Sequence, residues 1–171
     1  MAIRRYVADA DNTITNAFES DLTTRGTGSN MGAADSLEVF SLYGQTSASS
    51  GLTSELSRIL IKFPVNSIIV DRAASTIPAS GSVSFYLKMY NAEHPFTLAR
   101  DFKLLVSPVS SSWEEGYGLD MEEYTDLSNG DGSSNWEYAN SGNGPATAAT
   151  AVDCIDTTGV EADSADCSFT I

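Results

Sequence analysis

The 171-residue sequence has one histidine, two cysteines and, beyond Lys103, no basic residue. A Ser-His-Asp triad needs a histidine base, and a zinc site needs several histidine or cysteine ligands. His94 precedes a proline between two predicted strands, so we interpret it as part of a surface turn rather than as a catalytic base. Glycoside hydrolysis needs two carboxylates that face each other across the substrate. The side chains within the adjacent pairs Glu114/Glu115 and Glu122/Glu123 would point apart in a strand or turn, so neither pair suits this reaction. We therefore predict that the chain is not an enzyme.

Charge is distributed unevenly along the chain, which has a formal net charge of −14. All nine basic residues lie in the first 103 positions beside ten acids, and thirteen acids follow without a cation. Because nonspecific phosphate binding needs clustered Lys and Arg, nucleic acid is not an expected partner. Cations, a basic partner or plain solvation would each accommodate the acidic half.

Long apolar runs are also missing, so neither a membrane-spanning helix nor a secretory signal peptide is predicted, and synthesis in the cytoplasm is expected. The length and a hydrophobic content of 42% are typical of one globular domain. We predict a domain over residues 1–140 and an acidic, poorly patterned segment over 141–171.

Alternation of apolar and polar residues is the main pattern in the sequence, and it predicts β-strands. The predicted strands cover residues 13–18, 37–43, 57–63, 83–90 and 102–106. The residues expected to face the core are Ile59, Ile61, Phe63, Val83, Phe85, Leu87 and Met89. Helix is expected only as short turns near 66–72 and 120–124. The pattern predicts an all-β chain, an antiparallel β-sandwich of jelly-roll type with one or two short helical turns.

Five aromatic residues are candidates for stacking on a sugar ring, since they are concentrated among carboxylates and amides. They are Trp113, Tyr117, Tyr124, Trp136 and Tyr138. The competing interpretation places Trp113 at the end of the sandwich and Trp136 in a loop anchor, because large aromatics of small domains are usually core.

The loop 126–132 is a candidate calcium site, with Asp126, Asn129 and Asp131 as ligands and Asp9 and Asp11 as further oxygen donors. It lacks the spacing of an EF-hand, and an ordinary solvated loop is the favoured interpretation. No other cofactor is expected.

The C-terminal segment holds both cysteines, Cys154 and Cys167, which form either a short-loop disulfide or two free thiols. A last predicted strand, ending at Phe169 and Ile171, pairs within the sheet or adds to a neighbour's edge. Together with Arg4 and Arg5 in the N-terminal arm, these residues are candidates for assembly into a homo-oligomer.

Read in order, the motifs resemble the disaggregatase-related, DNRLRE-type β-sandwich modules that are also classed with family 96 carbohydrate-binding modules. The pattern Arg58-x-Leu60-x-x-Phe63 and the run Trp113-Glu114-Glu115 carry much of the likeness. The matching pieces are residues 11–14, 28–32, 37–39, 57–63, 77–78, 83–87 and 111–116. After Trp136 the chain departs from the family pattern, so its last strands have diverged or another chain completes the sandwich.

The resemblance implies a jelly-roll module with a binding or structural role and no catalytic centre. Lone versions without a leader resemble virion proteins of tailed phages, particularly marine ones, that decorate heads, necks or tails. The expected function is therefore a non-catalytic virion structural protein that contacts other virion proteins. A polysaccharide-binding module is the alternative.

Overall fold

A computed structural model describes residues 3–43, 54–78, 82–93, 104, 106, 109, 112–119, 124 and 133–139. Three strands form one antiparallel sheet in the order β1-β3-β2. They are β1 (Ala10–Thr15), β2 (Ser41–Tyr43) and β3 (Ser54–Lys62), and one helix, α1 (Val65–Ala73), follows directly. A small antiparallel sheet with one short helix confirms the all-β class at this coarse level.

The hydrophobic core lies on one face of the β1–β3 pair, where Asn12 stands opposite Leu60 and Ile14 opposite Arg58. Ile14 and Leu60 are each 1% exposed and are buried with Trp136 and Ala139. Leu56, Val109 and Trp113 pack around this cluster. The core is thus closed by the chain around residues 133–139, which lies about 120 positions after β1.

The sequence prediction assigned the wrong face of β3 to the core. Leu60 is buried, whereas Ile59, Ile61 and Phe63 are only partly buried. Arg58 shares the inner face, because its guanidinium carbon lies 4.3 Å from the ring centroid of Trp136. A guanidinium that covers an indole ring is stable on the inner face of a sheet. A charged residue in β3 therefore does not identify the solvent-exposed face.

The predicted strand over 83–90 is also wrong, because residues 82–93 have extended or irregular backbone without a strand ladder. Phe85 is 62% exposed, Leu87 is exposed as well, and Val83 and Met89 are partly buried. Alternation of apolar and polar residues alone does not make a strand, since a ladder also needs a partner.

The remaining predicted elements agree in part. β1 begins earlier than the predicted 13–18 strand and ends at Thr15, and β2 occupies only the last three residues of the predicted 37–43 strand. α1 confirms the turn predicted near 66–72. Leu104 and Val106 are not in a strand, and the rest of the predicted strand 102–106 and the turn 120–123 lie outside the described residues. Among the described helices none has the length and apolarity to cross a membrane.

A buried polar network surrounds the apolar core. The side-chain amide of Asn12 donates to the Ser134 hydroxyl at 2.8 Å and the Ser134 carbonyl at 3.0 Å, and its oxygen accepts the Met31 N–H at 2.9 Å. The Asn30 amide donates to the carbonyls of Glu115 and Ser134 at 2.8 and 2.7 Å. Buried amides need such partners because each unpaired group costs free energy.

Close backbone approach accompanies this network. The Asn30 side-chain oxygen accepts N–H groups from Gly32 at 3.1 Å and Gly118 at 2.9 Å. A Cβ atom at Gly118 would collide with the Asn30 carbonyl, and one at Gly32 with the Glu115 carbonyl. Both positions therefore require glycine. Residues 28–31 are buried, so this Gly- and Ser-rich stretch forms part of the inner wall of the fold.

Candidate functional site

The N-terminal arm is fixed to α1 by one carboxylate. Arg4 donates from Nε to Asp71 Oδ2 and from Nη2 to Asp71 Oδ1, each at 2.9 Å. The Tyr6 hydroxyl donates to Asp71 Oδ2 at 2.7 Å. Residues 4 and 6 lie on one side of an extended segment, so Ile3, Arg5 and Val7 are exposed on the other.

This contact also shifts the pKa values of Asp71 and Tyr6. Hydrogen bonds from Arg4 and Tyr6 to the carboxylate, together with the charge of Arg4, hold the pKa of Asp71 below its usual value. The hydrogen bond to Asp71 raises the pKa of Tyr6 in turn, because losing the phenolic proton would break it. Arg4 was expected to contact another subunit, yet here its charge is neutralised within its own chain.

A groove of about 460 Å³ runs between the arm and α1. Its walls are Arg4, Arg5 and Tyr6 from the arm and Asn66, Ser67, Val70 and Asp71 from the helix. The helix begins after Pro64 without a side-chain cap and has no acid in its first turn. The N–H groups of Val65 and Ser67 donate to the carbonyls of Phe63 and Pro64, and the helix dipole leaves a partial positive charge at this end of the groove.

A cation and an aromatic ring are in contact on the segment 82–93. Lys88 Nζ lies 4.8 Å from the ring centroid of Tyr90. Hydrogen bonding by Lys88 and its charge, and more weakly the charge of Arg5, lower the pKa of Tyr90. Arg5, Lys88 and Tyr90 are all exposed.

The five aromatic candidates for sugar stacking are not brought together on one surface. Trp136 is buried in the core with Arg58 over its ring, and Trp113 packs against the same cluster. Tyr124 and Tyr138 are partly buried, and the Tyr124 ring lies 6.2 Å from that of Phe40. Tyr117 is different, since 91% of it is exposed.

Asp11 and Glu115 are two neighbouring acidic residues in the described part of the chain. Glu115 Oε1 accepts the Asp11 backbone N–H at 2.8 Å. Burial and the negative charge of Glu115 raise the pKa of Asp11. Within the described ranges, three His, Cys, Asp or Glu side chains never meet as a metal-binding group. Asp126, Asn129 and Asp131 lie outside those ranges, so the calcium hypothesis stays a prediction.

Sequence reasoning missed Tyr6, Asp71, Lys88 and Tyr90 as site residues. The spacing Arg4-x-Tyr6, which puts both side chains on one side of an extended chain, was a usable signal. No sequence signal identified its partner Asp71, which follows Arg4 by 67 residues, because the pairing depends on how the arm crosses the helix. Cys154, Cys167, Phe169 and Ile171 lie outside the described residues.

Comparison of the whole chain with protein-family models, curated protein sequences and solved structures gave no match. The family resemblance of the motifs therefore stays a prediction.

Proposed function

We propose that this chain is a non-catalytic structural protein of a tailed-phage particle, which it decorates or stabilises at the head, neck or tail. The phage setting comes from the resemblance of the ordered motifs to lone β-sandwich modules. The structural role is supported by one observation above the others, the amount of apolar surface left uncovered.

Large apolar side chains are exposed at several places outside the core. On α1 these are Val65, Ile69 and Val70, and between residues 85 and 90 they are Phe85, Tyr86, Leu87 and Tyr90. No residue of α1 is buried. Where such side chains form a contiguous patch, a protein partner is the usual reason for it. A chain that works within a particle has such partners.

The contacts of the carboxylates support a structural rather than a catalytic role. Asp71 fixes the arm, Glu115 binds the Asp11 N–H, and Glu55 Oε2 accepts the Phe18 N–H at 3.0 Å. A general acid or base must instead face substrate with a proton to transfer. These carboxylates hold backbone and side chains of their own chain in place.

The finer fold belongs to the same proposal. We infer that the β1-β3-β2 sheet is one layer of a jelly-roll sandwich, with the acid-rich residues after 103 contributing to the second layer. The inner face of β1–β3, covered by Trp113 and Trp136, is where a second layer would pack.

A polysaccharide-binding role is the second candidate, and the exposed ring of Tyr117 favours it. A tyrosine face in solvent beside glycines 116 and 118 is a suitable platform for a sugar ring. This single aromatic gives a smaller surface than the uncovered apolar residues do.

Cryo-electron microscopy of the native particle tests the proposal. Density that fits the β1–β3 sheet at repeated positions on the particle is the expected result, and genes for a capsid, portal or tail-tube protein should be neighbours. A chain missing from purified particles, or turnover of a polysaccharide or ester that Glu114→Gln or Glu122→Gln abolishes, would overturn it. Glycan-array binding lost in Tyr117→Ala, with genes for polysaccharide lyases nearby, would favour the second candidate.

A further inference from the structure

Residues 83–90 carry backbone groups that no other described residue pairs. Among the hydrogen bonds that join described residues, none uses a backbone N–H or carbonyl of this segment. Most of its side chains are exposed, so in a single copy these backbone groups bond to water. A second strand can replace that water with a ladder, as happens when an extended chain adds to an unpaired edge.

The segment already has the backbone shape that a ladder needs. Residues 83–93 contain no turn or bend. Lys88 Nζ lies 4.8 Å from the ring centroid of Tyr90, two positions further along the chain. Side chains two positions apart share one side of an extended chain, whereas on a helix they face different directions. Pairing therefore requires little further ordering of the backbone.

The two sides of this extended segment differ in polarity. One side carries Val83, Phe85, Leu87 and Met89, and the other carries Ser84, Tyr86, Lys88 and Tyr90. Phe85 is 62% exposed and Leu87 is 44% exposed, so the chain covers its own apolar side incompletely. A partner strand that lies alongside would cover more of it.

The sequence of the segment is complementary to itself in an antiparallel pair. Opposed residues share a face of such a ribbon, so apolar residues oppose each other only if a two-fold axis passes through a residue rather than between two. With the axis at Tyr86, the opposed apolar pairs are Val83 with Met89 and Phe85 with Leu87. Every apolar residue of the segment then has an apolar partner, and such cross-strand pairs stabilise a ladder.

Charge and the neighbouring registers favour the same axis. Lys88 is the only charged residue between 83 and 90, and with the axis at Tyr86 it opposes Ser84, so no two cations meet. An axis at Phe85 would set Met89 opposite a glycine, and an axis at Leu87 would set Val83 opposite an asparagine. Both alternatives lose an apolar pair.

We propose that residues 83–90 are an assembly strand, which pairs antiparallel with the same residues of a second copy about a two-fold axis at Tyr86. The contact is isologous, so it closes in a dimer. The inference goes beyond the proposed function and does not depend on it, because it follows from residues 83–90 alone.

Two charge variants of the full-length protein test the pairing. One carries Phe85→Lys with Leu87→Lys, and the other carries Phe85→Glu with Leu87→Glu. Like charges oppose each other when either variant pairs with itself, and opposite charges do so when the two are mixed. The matched control is Val65→Lys with Ile69→Lys, at two exposed apolar positions of α1. Circular dichroism confirms that each variant is folded before use.

Sedimentation equilibrium should show a dimeric wild type, and each charge variant alone should have a dissociation constant about tenfold higher or more. An equimolar mixture of the two variants should recover the dimer, and the α1 control should dimerise as the wild type does. A wild type that stays monomeric at high concentration would overturn the inference. So would charge variants that dimerise like the wild type, or a dimer lost in the α1 control, since another surface then joins the copies.

Disulfide cross-linking tests the register, in a background with Cys154→Ser and Cys167→Ser. A residue on the axis opposes itself with Cα atoms about 4.5 to 5.5 Å apart, which suits a disulfide. Mild oxidation should therefore link Tyr86→Cys into dimers much faster than Tyr117→Cys, which is 91% exposed in the wild-type tyrosine but lies outside the segment. Equal rates would overturn the pairing at Tyr86. The proposed function fails separately, through absence of the chain from particles.

Discussion

The side-chain amide nitrogen of Asn12 lies 2.8 Å from the hydroxyl oxygen of Ser134, although 122 residues separate the two in the chain. Asn12 is fully buried on β1, and Ser134 is fully buried where the chain returns to cover the core. This contact joins the two ends of the described fold through one polar side chain.

Asn12→Ala should lower the free energy of unfolding by about 2 to 3 kcal/mol, because the Met31 N–H and the Ser134 hydroxyl would be left buried with a partner missing. Urea unfolding followed by tryptophan fluorescence measures the change. The matched control is Asn66→Ala, on the exposed surface of α1, which should stay within about 0.5 kcal/mol of wild type. Equal losses in the two variants would contradict the buried network.

Leu60→Ala should cost about 2 to 5 kcal/mol, since it opens a cavity between Ile14 and Trp136. Phe85→Ala should cost no more than about 0.5 kcal/mol, because Phe85 is mostly exposed. Thermal or urea unfolding of the two variants gives the comparison. The alternation in the sequence favours the reverse order, so a large loss at Phe85 with a small one at Leu60 would restore that earlier assignment of the core.

Asp11→Asn should stabilise the protein at neutral pH. The pKa of Asp11 is raised in the folded state, so stability is greatest below the unfolded value near 3.8 and falls as pH rises through the folded value. The amide removes this penalty and leaves the backbone N–H bond to Glu115 in place. The urea midpoint should increase at pH 7 and stay unchanged near pH 3, where the carboxyl is protonated. An unchanged midpoint at pH 7 would show that Asp11 ionises without cost.

Asp71→Asn should release the N-terminal arm without unfolding the sheet. The pKa of Asp71 is lowered by its hydrogen bonds, so its contribution is present above about 3.8 and is lost as pH falls through the lower folded value. Trypsin at neutral pH should cut after Arg4 and Arg5 faster in Asp71→Asn than in wild type or in the exposed control Asp35→Asn. In the wild type, the Tyr6 ring signals in NMR spectra should report the same release at low pH. Equal cleavage rates in Asp71→Asn and wild type would show that Asp71 does not hold the arm on α1.

The strand β3 shows how far the sequence alone predicts this fold. Its position near 57–63 follows from alternation, and the structure has it at Ser54–Lys62. The face does not follow, because Ile59, Leu60 and Ile61 are consecutive aliphatic residues and alternation fits either side. The deciding contact is Arg58 over the Trp136 ring, which joins residues 78 positions apart.

The polar network was not predictable from local pattern. Asn30 and Ser134 lie in Gly- and Ser-rich stretches whose composition is typical of solvated turns. Their burial depends on each other and on Asn12, so no single stretch carries the signal. The arm–helix groove is similar, since Arg4 was identified as a functional cation but its partner Asp71 was not.

The distance in sequence between β1 and the residues that cover it has a consequence for synthesis. Ile14 leaves the ribosome about 120 residues before Trp136 does, and its core partners Trp136 and Ala139 come at the end of the described chain. At translation rates of about 5–20 residues per second, the first strand waits roughly 6 to 24 s for them. Nascent β1 and β3 must therefore be kept from pairing with other newly made chains, and the core is completed only after Ala139 has been translated.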